Sequence, residues 1–352
     1  MARKLGTLMA KNFSELVGNT PLVRLNGLSD ISGCEIFGKA EFLNPGGSVK
    51  DRAALFIIRE AIVSGKLNEG GTIVEGSAGN TGIGLTLIGA SLGFSTVIVI
   101  PETQTQEKKD ALKNAGACLV EVPAAPYSNA NNYIRYSERL AKELNSKLPC
   151  GAFWANQFDN LANQNAHLKT TAPEIYEQTS GKIDAFICSV GTGGTLSGVS
   201  KGLRTLKSDV KIALVDPFGS ALYNYYTDGQ LKSEGNSISE GIGQSRITNN
   251  LKDLEVDDSF RVSDYEALDS IYDLLDKEGI SVGISAGVNM AGALKLAQTL
   301  DKGSTIVTIL CDHGMRYQTK LFNYEFLKER QLPIPRWLES SDVKLPDVLQ
   351  KL

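Results

Sequence analysis

Residues 183–195 read Ile183-Asp184-Ala185-Phe186-Ile187-Cys188-Ser189-Val190-Gly191-Thr192-Gly193-Gly194-Thr195, and a helical pattern follows over 195–206. A short run that is apolar at nearly every position suits a strand covered on both faces, as in a parallel sheet. Parallel neighbours need a long crossover between them, and a helix supplies it. The same strand–loop–helix unit recurs on either side. Candidate strands are Thr72–Glu75, Thr96–Ile100, Cys118–Val122, Ile183–Val190, Lys211–Val215 and Thr305–Leu310. Helical patterns lie between and around them, at 50–64, 80–92, 105–115, 129–146, 160–178, 195–206, 263–278 and 286–300. The fold class is therefore α/β, with helices covering parallel-rich sheets.

The chain has 352 residues, which favours two domains. It carries 36 Lys and Arg against 40 Asp and Glu, scattered without a basic stripe, so a nucleic-acid partner is not expected. A small molecule is. Only His167 and His313 are available, which excludes a His-rich metal site and disfavours a Ser-His-Asp triad. No metal is expected. The five cysteines form no CxxC pair, and their odd, wide spacing suits a reducing compartment. Cys118, Cys188 and Cys311 lie in apolar runs and read as small buried hydrophobes. Residues 76–101 carry no charge, yet five glycines from Gly79 to Gly93 break the run, so no membrane span is expected. Residues 1–14 contain Arg3, Lys4 and Lys11 with no acid before Glu15, too short and Ser-poor for an organellar presequence. A cytoplasmic location follows as the expectation.

Open α/β sheets bind ligands at the carboxyl ends of their strands, so the strand-to-helix loops carry the information. Three are glycine-rich. Asn44-Pro45-Gly46-Gly47-Ser48-Val49-Lys50-Asp51-Arg52 enters a helix with Lys50 in its first turn. A cation there opposes the helix dipole. Either Lys50 points to solvent or it is an amine held for carbonyl chemistry. Glu75-Gly76-Ser77-Ala78-Gly79-Asn80-Thr81-Gly82 opens a second helix, whose free N–H groups suit a carboxylate or phosphate. Gly191-Thr192-Gly193-Gly194-Thr195 opens the third. A dinucleotide fingerprint would need glycine at 196, which is Leu196, although Asp216 ends the next strand as a ribose-binding acid would; a P-loop pattern also fails. The third loop reads as a cup for one phosphate.

Together, NPGGSVKDR, SAGNTG, GTGGT, EGIG at 240–243 and GISAG at 283–287, in this order, resemble the pyridoxal-phosphate-dependent cysteine synthase/cystathionine β-synthase family of fold type II, from Phe13 to about Phe326. The resemblance implies pyridoxal 5'-phosphate as cofactor and Lys50 as its Schiff-base lysine. It implies Asn80 at the ring hydroxyl, Gly191, Thr192, Gly193, Gly194 and Thr195 at the phosphate, and Ser285 at the pyridine nitrogen. Ser77, Gly79, Asn80, Thr81 and Gln157 would hold the substrate carboxylate, with Gly241 near the cofactor and substrate amine. A neutral Ser beside the pyridine nitrogen leaves the cofactor a weaker electron sink than an Asp would, which favours prompt loss of a β-substituent over transamination. The implied reaction is β-replacement. The expected product is L-cysteine, from an activated serine such as O-acetylserine and sulfide or thiol. β-Cyanoalanine synthase or cystathionine β-synthase activity, or a non-catalytic cofactor-binding paralogue, are the alternatives.

The family also implies a homodimer and two α/β domains that close over substrate. The expected division is 44–160 as a smaller mobile substrate-loop domain, 13–43 plus 161–326 as a larger cofactor-phosphate domain, and 327–352 as a tail. Three departures stand close to where the substrate is expected: Ala78 in place of a Ser or Thr, Gln244-Ser245-Arg246-Ile247-Thr248 after EGIG, and Asp312-His313-Gly314 in place of Asp-Ser-Gly. His167 reads as a surface or capping residue, and Trp154 and Trp337 as packing.

Overall fold

The computed structural model describes residues 9–339. Arg3 and Lys4, and the tail from residue 340 with Pro346, lie outside the described residues. In chain order the strands are β1 (Leu22–Arg24), β2 (Glu35–Ala40), β3 (Thr72–Gly76), β4 (Ser95–Pro101), β5 (Cys118–Val122), β6 (Ala152–Trp154), β7 (Ala185–Cys188), β8 (Lys211–Pro217), β9 (Asp258–Val262) and β10 (Thr305–Leu310). They form two sheets, one in the order β1-β2-β10-β7-β8-β9 and one in the order β5-β4-β3-β6. Every pairing is parallel except β1 against β2.

The six strands expected from sequence are present. The run Ile183–Val190 narrows to β7, because Ser189 gives its N–H to Asn289 Oδ1 (2.7 Å) rather than to a neighbouring strand. The strands not foreseen are β1, β2, β6 and β9. β1, β6 and β9 are sheet edges; β1 and β6 are only three residues long, and Asp258, Ser259 and Arg261 break the apolar pattern of β9. β2 carries Lys39, whose buried amine is paired with Glu174 (2.7 Å). Edge position also corrects one cysteine: Cys118 opens the edge strand β5 and is exposed, while Cys188 in central β7 is buried.

The larger sheet is sandwiched. Helices Asp264–Glu278 and Ile284–Ala297 cover one face, and Ala172–Gln178 and Gly194–Leu206 the other. The helix expected over 160–178 runs without a break from Ala162 to Gln178, with a π-helical turn at His167–Thr171 inside it. The uncharged stretch 76–101 contains helix Asn80–Ser91 and strand β4. Among the described residues no helix is long and apolar enough to cross a membrane.

Helix Lys50–Val63 is pinned by buried charge. Arg52 is 1% exposed and pairs with Glu41 (2.7 Å) and Glu174 (2.7 Å). Removing one partner of such a cluster strands a charge in the interior, typically at about 3–5 kcal/mol. The N–H of Val49 donates to the carbonyl of Cys311 (2.9 Å), one residue beyond β10. These ties fix Lys50 near the carboxyl ends of the central strands of the larger sheet.

Candidate active site

A cavity of about 550 Å³ opens where β3, β7 and β10 end. Lys50 lines it, and so do Ser77, Gly79, Asn80 and Thr81 of the second loop. Gln157, Gly241 and Ser285 reach it from three other segments. Gly191, Thr192, Gly193 and Thr195 form a further part of the wall. Gly194 is the one sequence-named residue that is not on the wall; it is buried behind it, against Asn163.

The glycine-rich loop after β7 is built to present backbone. Gly193 has φ +90°, a left-handed conformation that side chains resist. A Cβ on Gly191 would lie 2.2 Å from the carbonyl oxygen of Gly241. Among the described residues the N–H groups of Thr192, Gly193 and Thr195 have no acceptor. Open amides at the N-terminus of a long helix make an anion site. Neighbours hold the loop from behind. Asn163 Nδ2 donates to Thr192 Oγ1 (2.8 Å) and Gln244 Nε2 to the carbonyl of Gly191 (2.8 Å), while Thr248 Oγ1 donates to the carbonyl of Thr192 (2.8 Å).

The loop after β3 is arranged in the same way. Ser77 Oγ accepts from the N–H groups of Gly79 (3.3 Å) and Gly82 (3.2 Å). The N–H groups of Ala78, Asn80 and Thr81 have no acceptor among the described residues. Thr81 Oγ1 donates to Gln157 Oε1 (2.6 Å), and Gln157 Nε2 donates to Glu75 Oε1 (3.0 Å). Burial pushes the Glu75 carboxyl up to about 8, against the lowering effect of its bonds to Gln157. A neutral Glu75 behind Gln157 leaves this corner free to take a carboxylate.

Sequence reasoning missed a group around Asn80. Asn80 Nδ2 donates to Asp312 Oδ2 (2.7 Å), which also accepts from Tyr317 Oη (2.6 Å). The Arg316 guanidinium donates to Asn80 Oδ1 and to the carbonyl of Gly46. The only hint was the unusual Asp312-His313-Gly314 segment, since these partners lie more than 230 positions from Asn80. Glu240, just before the cavity-lining Gly241, pairs with Lys108 and with Lys320 (2.5 Å), joining helix Gln106–Asn114 to this rim.

Of the three departures, only Ala78 is on the cavity wall. Gln244 and Thr248 act one step back, on the carbonyls of the 191–195 loop, and His313 accepts the N–H of Met315 (3.1 Å) outside the cavity. His167 is also corrected: it is 1% exposed, on the same helix face as buried Asn163, Gln164 and Thr171, packed against Gly198 of helix Gly194–Leu206.

The donor set fits pyridoxal phosphate: an anion cup, a lysine amine, an amide and a serine hydroxyl on one wall. The profile of the family described as pyridoxal-phosphate dependent enzyme matches residues 13–312. The chain belongs to that family. Cysteine synthase 1 of Neurospora crassa is 48% identical over 338 residues, covering 94% of this chain and 89% of the relative. Cystathionine beta-synthase of Dictyostelium discoideum is 37% identical over 332 residues, 94% of this chain and 65% of that protein. The crystal structure of an O-ureido-L-serine synthase matches with a TM-score of 0.80 at 30% identity, covering 98% of this chain and 100% of that one. Within the pyridoxal-phosphate-dependent enzymes, this is the fold type II cysteine synthase/cystathionine β-synthase branch. Pyridoxal phosphate is its cofactor.

Proposed function

We propose that this chain forms L-cysteine by β-replacement, from an activated serine of the O-acetylserine kind and sulfide. The observation that carries the reading is one cavity lined together by Lys50, Asn80, Ser285 and the open amides of two helix N-termini. The 48% identity to a cysteine synthase over 94% of the chain supports the choice of product.

When bound, pyridoxal phosphate supplies the electron sink for chemistry at the substrate α-carbon. Lys50 would hold it by its amine, and the same amine would serve as the base for the substrate α-proton. Thr192, Gly193 and Thr195 hold the phosphate through their amides. Asn80 hydrogen-bonds the ring hydroxyl, with Asp312 and Arg316 fixing the side chain's direction. Ser285 would face the pyridine nitrogen with a neutral hydroxyl, which would not hold that nitrogen protonated. Ser77, Gly79, Asn80, Thr81 and Gln157 receive the substrate carboxylate. Gly241 lines the substrate side, next to Glu240, whose ion pairs with Lys108 and Lys320 tie that rim together.

The same first half-reaction serves a cystathionine β-synthase, and the Dictyostelium relative keeps that reading as second. A decayed, non-catalytic paralogue has no reason to keep Lys50, Asn80 and Ser285 on one cavity. The proposal extends to a homodimer, a cytoplasmic location, and a division into a mobile unit 44–160, a cofactor unit 13–43 plus 161–326, and a tail 327–352. The two separate sheets support that division. A matrix of O-acetylserine, O-phosphoserine and serine against sulfide, cyanide and homocysteine tests the function. The highest kcat/KM is expected for O-acetylserine with sulfide; a preference for serine with homocysteine would overturn it.

A further inference from the structure

His167 is a buried titratable group that the proposed chemistry does not use. It sits in a π turn, and single π turns within α-helices occur frequently at functional sites. In that turn His167 Nδ1 lies 2.9 Å from Thr171 Oγ1, and Nε2 lies 3.1 Å from Thr195 Oγ1. The imidazole thus bridges the helix to the first turn of helix Gly194–Leu206, beside the open amides of the anion cup.

The bonding pattern selects a tautomer. Thr171 is fully buried, and among the described residues its hydroxyl has no partner but His167 Nδ1. A buried hydroxyl proton left without an acceptor is costly, so Thr171 donates and Nδ1 accepts. The ring proton is then on Nε2 and is donated to Thr195 Oγ1. Thr195 lines the cavity, and its own hydroxyl proton has no acceptor among the described residues. With Oγ1 already accepting, that proton is free to face an anion. The reverse tautomer would orphan the Thr171 proton and turn a lone pair of Thr195 toward the phosphate.

We propose that His167 is a positioning residue of the phosphate site, a neutral imidazole protonated on Nε2 that orients the Thr195 hydroxyl to donate into the cavity. The inference rests on the reading of Gly191–Thr195 as the phosphate cup. The surroundings keep the ring uncharged. Burial drives it well below its ordinary range, and Arg52 and Lys50 of helix Lys50–Val63 act in the same direction against the weaker opposing effect of Glu174. Helix Gly194–Leu206 meets His167 at uncharged Thr195 and at Gly198, while its cation Lys201 donates to Gln164 Oε1 (3.1 Å).

The test uses the chain loaded with pyridoxal phosphate and labelled with ¹⁵N-histidine. Its two histidines give two ring signals, and His313→Asn, which keeps an acceptor for the Met315 N–H, assigns them. The expected His167 signal is that of a neutral ring protonated on Nε2 and unchanging from about pH 6 to pH 8. An Nδ1-protonated ring, or one that titrates in that range, overturns the proposal, whatever the variants do. A second arm follows the ³¹P resonance and affinity of the bound cofactor in Thr195→Val and His167→Phe. Both are expected to move the resonance, with affinity falling about three- to tenfold in His167→Phe. A resonance moved by Thr195→Val and not by a folded His167→Phe overturns the role of His167 and leaves the cup standing. A resonance unmoved by Thr195→Val overturns the donation by the Thr195 hydroxyl and with it the proposal, while the amide cup is tested separately by Gly193→Asp.

Discussion

Replacing Gly193 separates the backbone of the phosphate cup from its electrostatics. At φ +90° a side chain incurs about 1–2 kcal/mol of left-handed strain. Its Cβ would also lie 2.5 Å from Leu251 Cγ, and overpacking of that kind adds about 1–3 kcal/mol. Gly193→Ala and Gly193→Asp share both terms, so each should lose about 2–5 kcal/mol of stability by urea unfolding. Only Asp brings a charge. At about 6 Å and an effective dielectric near 20, a carboxylate opposes each unit of phosphate charge by about 3 kcal/mol, or about a hundredfold in affinity. The dissociation constant of pyridoxal phosphate, from cofactor absorbance during dialysis, should therefore be at least about a hundredfold weaker for Asp than for Ala. Equal retention by two folded variants would mean that the phosphate binds elsewhere.

Ser285→Asp should hold the pyridine nitrogen protonated, slowing β-elimination and raising transamination side product, while Ser285→Ala should be milder; an unchanged product distribution for Asp would remove Ser285 from the ring nitrogen. Ala78→Ser restores a hydroxyl on the cavity wall, and a net hydrogen bond of about 0.5–1.5 kcal/mol should change the kcat/KM ratio between O-acetylserine and serine several-fold, with cofactor binding untouched. An unchanged ratio would show that position 78 does not face the chemistry. Glu75 retains its proton in the fold up to about pH 8, whereas unfolded it loses it near 4.5, so its contribution to stability falls as pH rises between those values and is level above. Glu75→Gln should remove that fall, so the urea midpoint of the variant relative to wild type should climb from pH 5 to pH 8; a constant difference would contradict the raised carboxyl.

Residues that carry their own local signal were legible in the sequence. Strand β7 is apolar because both faces are covered, and Gly191, Gly193 and Asn80 stand in loops where composition and order are informative. Contacts made across the chain left no such trace. Asp312 and Arg316 reach Asn80 from more than 230 positions away, and Arg52 meets Glu174 across 122. His167 is read as a surface residue because the buried face of 160–178 is polar, built from Asn163, Gln164, His167 and Thr171, and so carries no apolar stripe. Edge strands β1 and β6, at three residues each, are too short to show a period, and β9 is broken by Asp258, Ser259 and Arg261. The residues Gln244 and Thr248 were noticed for the right region and the wrong reason, since they brace the loop rather than touch the cavity.

The claim on which the rest depends is that Lys50 anchors the cofactor at the end of the larger sheet. Borohydride reduction of the loaded protein, followed by proteolysis and mass spectrometry, tests it directly. The account predicts one modified peptide, carrying a phosphopyridoxyl group on Lys50, and no absorbance band or β-replacement activity in Lys50→Ala. A phosphopyridoxyl group on any other lysine, or a reducible cofactor band with full activity in Lys50→Ala, would contradict it.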